Sequence, residues 1–230
     1  MHETDDPTGR LFDESRGCSV FSQRRLRFTG PSGERLDAGS DEVLYVLAGT
    51  GTLTLSGADH PLAPGTAAFV AAGERWSIGP GAELSIVSVL VHEPERATHP
   101  SAVVDLAASE RQSATAGRQF VLGAGPQNGC ASVTQFIVLI PPGRAPDHFH
   151  TYDEVIYVLE GEGVLEIGGE QAPLRAGSCV HLPARLVHCL ANTGATELRV
   201  LGVFRPAGSP AEAYYPDGTL AVLPTEKELS

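Results

Sequence analysis

The chain has 230 residues, with 16 Lys+Arg against 28 Asp+Glu and a formal net charge of −12. That length buries either one large core or two small ones, and an acidic surface without basic clusters argues against nucleic acid or an anionic membrane as partner. No apolar run approaches the length of a membrane span, and Met1-His2-Glu3-Thr4-Asp5-Asp6 lacks the basic and apolar regions of a signal peptide, so a cytoplasmic protein is expected.

From the N-terminus onward, 26 Gly and 17 Pro punctuate short apolar runs. Arg24-Arg25-Leu26-Arg27 is the one local basic run and reads as a solvated strand edge. Val43–Leu47, Leu84–Leu90, Phe136–Ile140 and Leu198–Phe204 are short and β-rich, and their spacing between turn residues predicts an all-β sandwich or barrel. Val103–Gln112 has the only trace of helical periodicity and reads as a linker with a short helix. Cys18, Cys130, Cys179 and Cys189 have no Cys-x-x-Cys spacing and read as buried thiols. Cys179 and Cys189 flank the segment of His188.

The chain repeats itself. Shifted by 112 positions, Glu42-Val-Leu-Tyr-Val-Leu-Ala-Gly49 falls on Glu154-Val-Ile-Tyr-Val-Leu-Glu-Gly161. Gly51, Leu53, Gly57, Pro61, Leu62 and Gly65 then meet Gly163, Leu165, Gly169, Pro173, Leu174 and Gly177 without a gap. Matched Gly and Pro imply matched turns, so two homologous β-barrels in tandem are expected, residues 1–102 and 103–230. In the second copy, His148 and His150 point the same way if extended, because side chains alternate faces. A carboxylate at Glu154 and a third imidazole at His188 would complete a nitrogen/oxygen cage for one divalent transition metal.

The same residues resemble a known family. Gly143-x4-His148-x-His150-x3-Glu154-x6-Gly161 is similar to the first cupin motif, one residue off its commonest glycine spacing, and Gly177-x10-His188-x3-Asn192 to the second, with Pro183 in the turn before the histidine. The resemblance implies an all-β fold of two tandem cupin (jelly-roll β-barrel) domains. It implies a metal inside the C-terminal barrel held by His148, His150, Glu154 and His188. Three nitrogens and one oxygen suit Fe(II) or Mn(II) first, then Ni(II) or Zn(II), rather than Mg(II) or Ca(II). In the first copy Leu36, Ala38 and Trp76 stand at the positions of His148, His150 and His188, and only Glu42 survives. That barrel is expected to hold no metal, with Trp76 filling the space.

Several further residues are candidates for the chemistry. Ile156 and Val158 share the face of Glu154 and give the site an apolar lining. Tyr152 is placed to bond a substrate or else to pack at the surface, and His181 is either a base behind the ligands or a solvated side chain. Gln135 is a weaker candidate behind the ligands, Arg185 in the turn before His188 either meets a substrate carboxylate at the barrel mouth or faces water, and Tyr214-Tyr215-Pro216-Asp217-Gly218 is either a lid over a barrel mouth or a plain turn. With Glu154, Tyr152 and His181 as catalytic candidates, the expected activity is a dioxygenase acting on a small organic molecule. Redox-neutral isomerisation, decarboxylation or hydrolysis is the alternative, and a non-catalytic binding module the second. The apolar face Val155-Tyr157-Leu159 suits subunit packing, and a homodimer is expected.

Overall fold

The computed structural model describes residues 10–95, 97 and 101–221, so the leader reading at Met1–Asp6 lies outside the described residues. The described chain is strand and turn, with three short 3-10 turns and no α-helix. It divides into two compact units. One runs up to Ser109 and includes Leu122–Gln135; the other comprises Glu110–Val121 and everything from Phe136 onward. The expected division at 102/103 falls inside the strand Ala102–Asp105, which pairs with Thr66–Val70 and so stays with the first unit. The helix anticipated near Val103–Gln112 is absent; its β-branched start extends that sheet, and a turn follows before the strand Gln112–Ser113.

In the first unit the strand Ser40–Leu55 is the spine. Its first half lies between Glu83–His92 and Thr66–Val70, and its second half pairs with Ala58–Leu62 and Arg75–Ile78. Phe28, Leu44, Val46, Leu53, Trp76, Ile78 and Ile86 close a continuous core between these layers. The segment 122–135 is stitched on by polar contacts. Ser132 Oγ donates to Asp41 at 3.0 Å, and Gln135 Nε2 donates to the Leu44 carbonyl at 3.2 Å. Gln135 is thus a structural clasp of the first unit, its amide spent on a backbone carbonyl of that unit.

In the second unit Asp153–Glu160 takes the corresponding place, between Leu198–Arg205 and Cys179–Leu182. Glu162–Ile167, flanked by Glu170–Arg175 and Cys189–Asn192, makes the facing three-stranded sheet. Alternation along Asp153–Glu160 turns Glu154, Ile156 and Val158 inward. Val155 and Tyr157 on the opposite face are only 0% and 5% exposed in the single chain, so they are not a free stripe for a second copy. Matched contacts confirm the repeat. A Cβ on Gly49 would lie 1.7 Å from the Glu83 carbonyl oxygen, and one on Gly161 3.0 Å from that of Glu197.

These close approaches give a test. Gly49 and Gly57 both have positive φ, but nothing lies within 4 Å of a Cβ on Gly57. Gly57→Ala should cost about 1–2 kcal/mol for its backbone alone. Gly49→Ala adds a methyl against backbone and should cost at least about 3 kcal/mol. Denaturant unfolding of both variants checks this, and equal losses would contradict it.

Candidate metal centre

The two motif segments are paired directly through their backbones. His148 N–H donates to the His188 carbonyl at 3.0 Å and His188 N–H to the His148 carbonyl at 2.8 Å. Residues directly opposite in such a pair share a face, which brings the two rings to a centroid separation of 4.7 Å. His150, two residues on, joins the same face, 5.1 Å from the His148 ring and 5.5 Å from that of His188. The candidate ligand nitrogens of all three lie within 4.8 Å of one another, the one such group of metal-capable side chains among the described residues.

The protonation of this group is set by its hydrogen bonds. His148 Nδ1 meets the Pro146 carbonyl at 3.0 Å, His150 Nδ1 the Glu212 carbonyl at 2.7 Å, and His188 Nδ1 the Leu186 carbonyl at 2.8 Å. A carbonyl oxygen only accepts, so each Nδ1 carries the proton and each Nε2 keeps its lone pair. Burial, with His188 next to it, pushes His148 down to about 4. Burial, with His148 and His188 beside it, pushes His150 down to about 3. Burial also lowers His188. At neutral pH the cavity therefore holds three neutral imidazoles, each with one nitrogen left as an acceptor.

Glu154 lies in the same cavity but outside the three-histidine group. Its carboxylate rests against Gly202, where a Cβ would come within 2.9 Å of Oε1. Among the described residues no donor sits within hydrogen-bonding distance of it, and burial pushes it up to about 8, opposed only by the charge of Arg118. The first unit offers the contrast. Glu42 accepts from the Ser88 hydroxyl, from Trp76 Nε1–H at 3.3 Å, and faces Arg24 at 3.6 Å. Trp76 is 3% exposed, inside the apolar core, and Leu36 is 49% exposed. The Arg24 run is therefore only partly a solvated edge, because Arg24 turns toward Glu42.

The other candidates divide. Tyr152 is buried in the cavity wall, stacked between His150 at 4.7 Å and Phe204 at 3.8 Å. His181 faces Val155 across the sheet, and its ring meets Asp153 at 3.4 Å on the face away from the cavity. Arg185 is exposed in a turn with φ of 66°. The tail does fold back: Tyr214 pairs with Phe149 and stacks on its ring at 5.6 Å. Pro210, Ala211 and Ala213 line the cavity, and the Glu212 carbonyl orients His150. Cys179 and Cys189 are buried and donate to the carbonyls of Gly177 and Ala145. Sequence reasoning missed Arg118, which lies in the cavity wall and donates from Nη2 to the Leu190 carbonyl at 2.9 Å. It stands just beyond the segment read as linker, where one Arg after a Gly carries no local signal.

Comparison with known proteins places this geometry. Residues 136–204 match the cupin domain. The chain is similar to the polyketide synthase CurC of Streptomyces cyaneus, 33% identical over 75 residues, covering 32% of this chain and 49% of that one. It is also similar to an oxalate-binding protein of Thermotoga maritima, 36% identical over 66 residues, covering 28% and 54%. The chain thus spans about half the length of these curated relatives. Among solved structures, oxalate decarboxylase of Bacillus subtilis superposes with a TM-score of 0.71 at 13% identity, over 87% of this chain and 73% of that one. Protein Ylba of E. coli superposes with 0.71 at 15% identity, over 89% and 87%. At these identities the likeness establishes the fold, and its coverage takes in both units. No helix among the described residues is long and apolar enough to cross a membrane.

The titrations set a pH dependence for the metal-free chain. Glu154 holds its proton more tightly folded than unfolded, so it lowers stability as pH rises from about 4.5 to about 8. The histidines hold theirs less tightly, so their contribution grows as pH rises toward 6.5 and is complete above it. Glu154→Gln should therefore raise the melting temperature of metal-free protein far more at pH 8.5 than at pH 5, by a few kcal/mol of stability. Thermal melts at the two pH values check this, and an equal gain at both would contradict the raised titration.

Proposed function

We propose that this chain, whose residues 136–204 are a cupin domain, is a metal-dependent enzyme acting on a small organic molecule, with dioxygenation as its reaction. The observation that carries the reading is the set of three Nδ1–H bonds to backbone carbonyls. Those bonds fix the tautomers and leave one lone pair on each of three rings gathered in one cavity, and metal-binding histidines carry such a second bond to a backbone carbonyl. In this reading His148, His150 and His188 hold one divalent ion, Fe(II) or Mn(II) first and Ni(II) or Zn(II) after them. Glu154 is the fourth ligand once its proton has left. A redox-active ion held there would pass electrons from the substrate to dioxygen, the substrate being the species oxidised, and a redox-inert one would supply Lewis acidity alone.

The remaining residues shape what can enter. Phe136, Val138, Ile140, Ile156, Leu190 and Val200 keep the cavity apolar and exclude bulk water. Tyr152, clamped between two rings, holds its hydroxyl at the cavity wall to meet a substrate oxygen. The N-terminal unit carries no ion in this reading, because Glu42 is already neutralised by its neighbours.

A second reading, redox-neutral decarboxylation or isomerisation, is favoured by Glu154 itself. Burial keeps it protonated near neutral pH, beside the cavity and without a partner. A carboxyl so placed can give and take a proton during turnover. The names of an oxalate-binding relative and an oxalate decarboxylase neighbour fit this second class.

An oxygen electrode separates the readings. Protein purified without oxygen and loaded with Fe(II) should consume dioxygen in step with substrate, and His148→Ala with His188→Ala should abolish it. Substrate loss without oxygen uptake would overturn the dioxygenase reading in favour of the redox-neutral one. Full activity in the double variant would sink every metal-based mechanism.

A further inference from the structure

The three histidines do not obtain their hydrogen bonds in the same way. His148 and His188 each turn Nδ1 onto a carbonyl two residues back, that of Pro146 and of Leu186, so those bonds form within their own turns. His150 turns Nδ1 onto the Glu212 carbonyl at 2.7 Å, 62 residues further along the chain. It is also the one of the three that is not fully buried. A short C-terminal hairpin brings Glu212 there. His148 exchanges its backbone bonds with His188, and the His150 carbonyl accepts from Arg185 N–H at 2.7 Å. Phe149, between them, presents its N–H and C=O to the other side, where it exchanges both with Tyr214 at 2.9 Å. Alternation then puts the Phe149 and Tyr214 side chains on the face away from the cavity, and their rings stack at 5.6 Å with 18° between the planes. The Tyr214 hydroxyl donates to the Glu212 carboxylate at 2.9 Å, tying the ring to the residue whose carbonyl meets His150. Beyond it Tyr215 N–H bonds the Thr219 carbonyl and Ala221 N–H that of Ala213, each at 2.8 Å, which closes the hairpin on itself.

We propose that Tyr214 is a positioning residue of the metal centre, holding the Glu212 carbonyl on His150 so that the third imidazole keeps one tautomer and one orientation. The inference rests on the metal reading and deepens it: the C-terminal hairpin decides whether the cavity offers three oriented imidazoles or two. Tyr152 stacks flat on the His150 ring, 8° between the planes, and so sets the plane of that ring. A stack does not tell one ring nitrogen from the other, and it does not choose which carries the proton. The carbonyl does both, because it takes a proton-bearing nitrogen alone. Partners of this kind change metal affinity about 10- to 100-fold without touching the ion. His148 and His188 keep their Nδ1 bonds when the hairpin leaves, since their acceptors lie in their own turns. Such coupling is reciprocal. An ion that needs His150 oriented therefore also holds the hairpin closed.

Two readouts on the full chain test this. Imidazole nitrogen NMR of the metal-free protein reads each tautomer, with the His150 signals identified by their loss in His150→Gln. Competition titration with Zn(II) reads affinity. Wild type should show the Nδ1–H tautomer at all three histidines. Tyr214→Ala should lose that signature at His150 alone and weaken Zn(II) about 10-fold or more. Tyr214→Phe keeps the stack and the backbone pair, so it should keep the signature and hold Zn(II) within about threefold. Gly57→Ala, a turn substitution in the first unit, controls for general destabilisation and should leave both readouts at their wild-type values. If Tyr214→Ala does not fold, Asp217→Ala carries the test, because it removes the two Thr219 bonds at the exposed turn of the hairpin. It should act in the same direction, weakening Zn(II) at least about threefold. An unchanged His150 signature or an unchanged Zn(II) affinity in folded Tyr214→Ala would overturn the inference. Loss of the signature at all three histidines together, or an equal loss in Gly57→Ala, would overturn it too. Zn(II) that does not bind wild type would sink the metal reading instead, and the tautomers of the metal-free chain would still decide the role of Tyr214.

Discussion

Three buried imidazoles in the second unit have committed their Nδ1 protons to the carbonyls of Pro146, Leu186 and Glu212. This commitment constrains the electrostatics of everything nearby. Each ring must be neutral, each Nε2 must be an acceptor, and three such acceptors belong to one cavity wall. Buried polar groups in folded proteins are satisfied, and a divalent ion satisfies all three together. The surrounding structure serves that arrangement. The backbone pair between His148 and His188 sets two rings face to face, strand alternation brings in His150, and the returning C-terminal segment supplies the carbonyl that orients it.

The two copies of the fold separate what the barrel needs from what the site needs. Glu42 and Glu154 occupy equivalent places on equivalent strands. In the first unit Arg24 pairs across the sheet with Ser88, and both approach the Glu42 carboxylate, with Trp76 closing the third side. In the second unit the position paired with Ile156, matching Ser88 opposite Leu44, is Gly202, and Phe136 stands against it. A hydroxyl and a guanidinium have given way to a hydrogen and a phenyl ring. The carboxylate of Glu154 is thereby stripped of partners, and its affinity for a proton rises. Where one barrel has a salt-bridged carboxylate, the other has a carboxyl without a hydrogen-bond partner in the wall of a cavity.

Much of this was legible in the residues. The ungapped register of glycines and prolines pointed to the tandem barrels, because those residues fix turns wherever they stand, and period-2 alternation pointed to the inward faces of His148, His150, Glu154 and Ile156. Other features had no local signature. Arg118 follows a glycine in a segment with no periodicity, and only the folded chain carries it to the histidines. His181 lies one residue from a cavity-facing position, and strand pairing with Val155 decides its direction. The tail Pro210–Tyr214 became a wall through a single bridge to Phe149, a long-range pairing that no spacing rule predicts. Gly202 was visible as a glycine inside a strand, a known sign of close approach, yet what approaches it had to be seen.

The central claim is that the three histidines of the second unit form a single metal centre while the first unit has closed its own. Metal analysis of protein purified anaerobically and equilibrated with excess Fe(II), Mn(II) or Zn(II) tests it most directly. The account predicts one tightly held ion per chain, lost in His148→Ala with His188→Ala and unaffected by Glu42→Gln. Two ions per chain, or one ion that survives loss of both histidines, would contradict it.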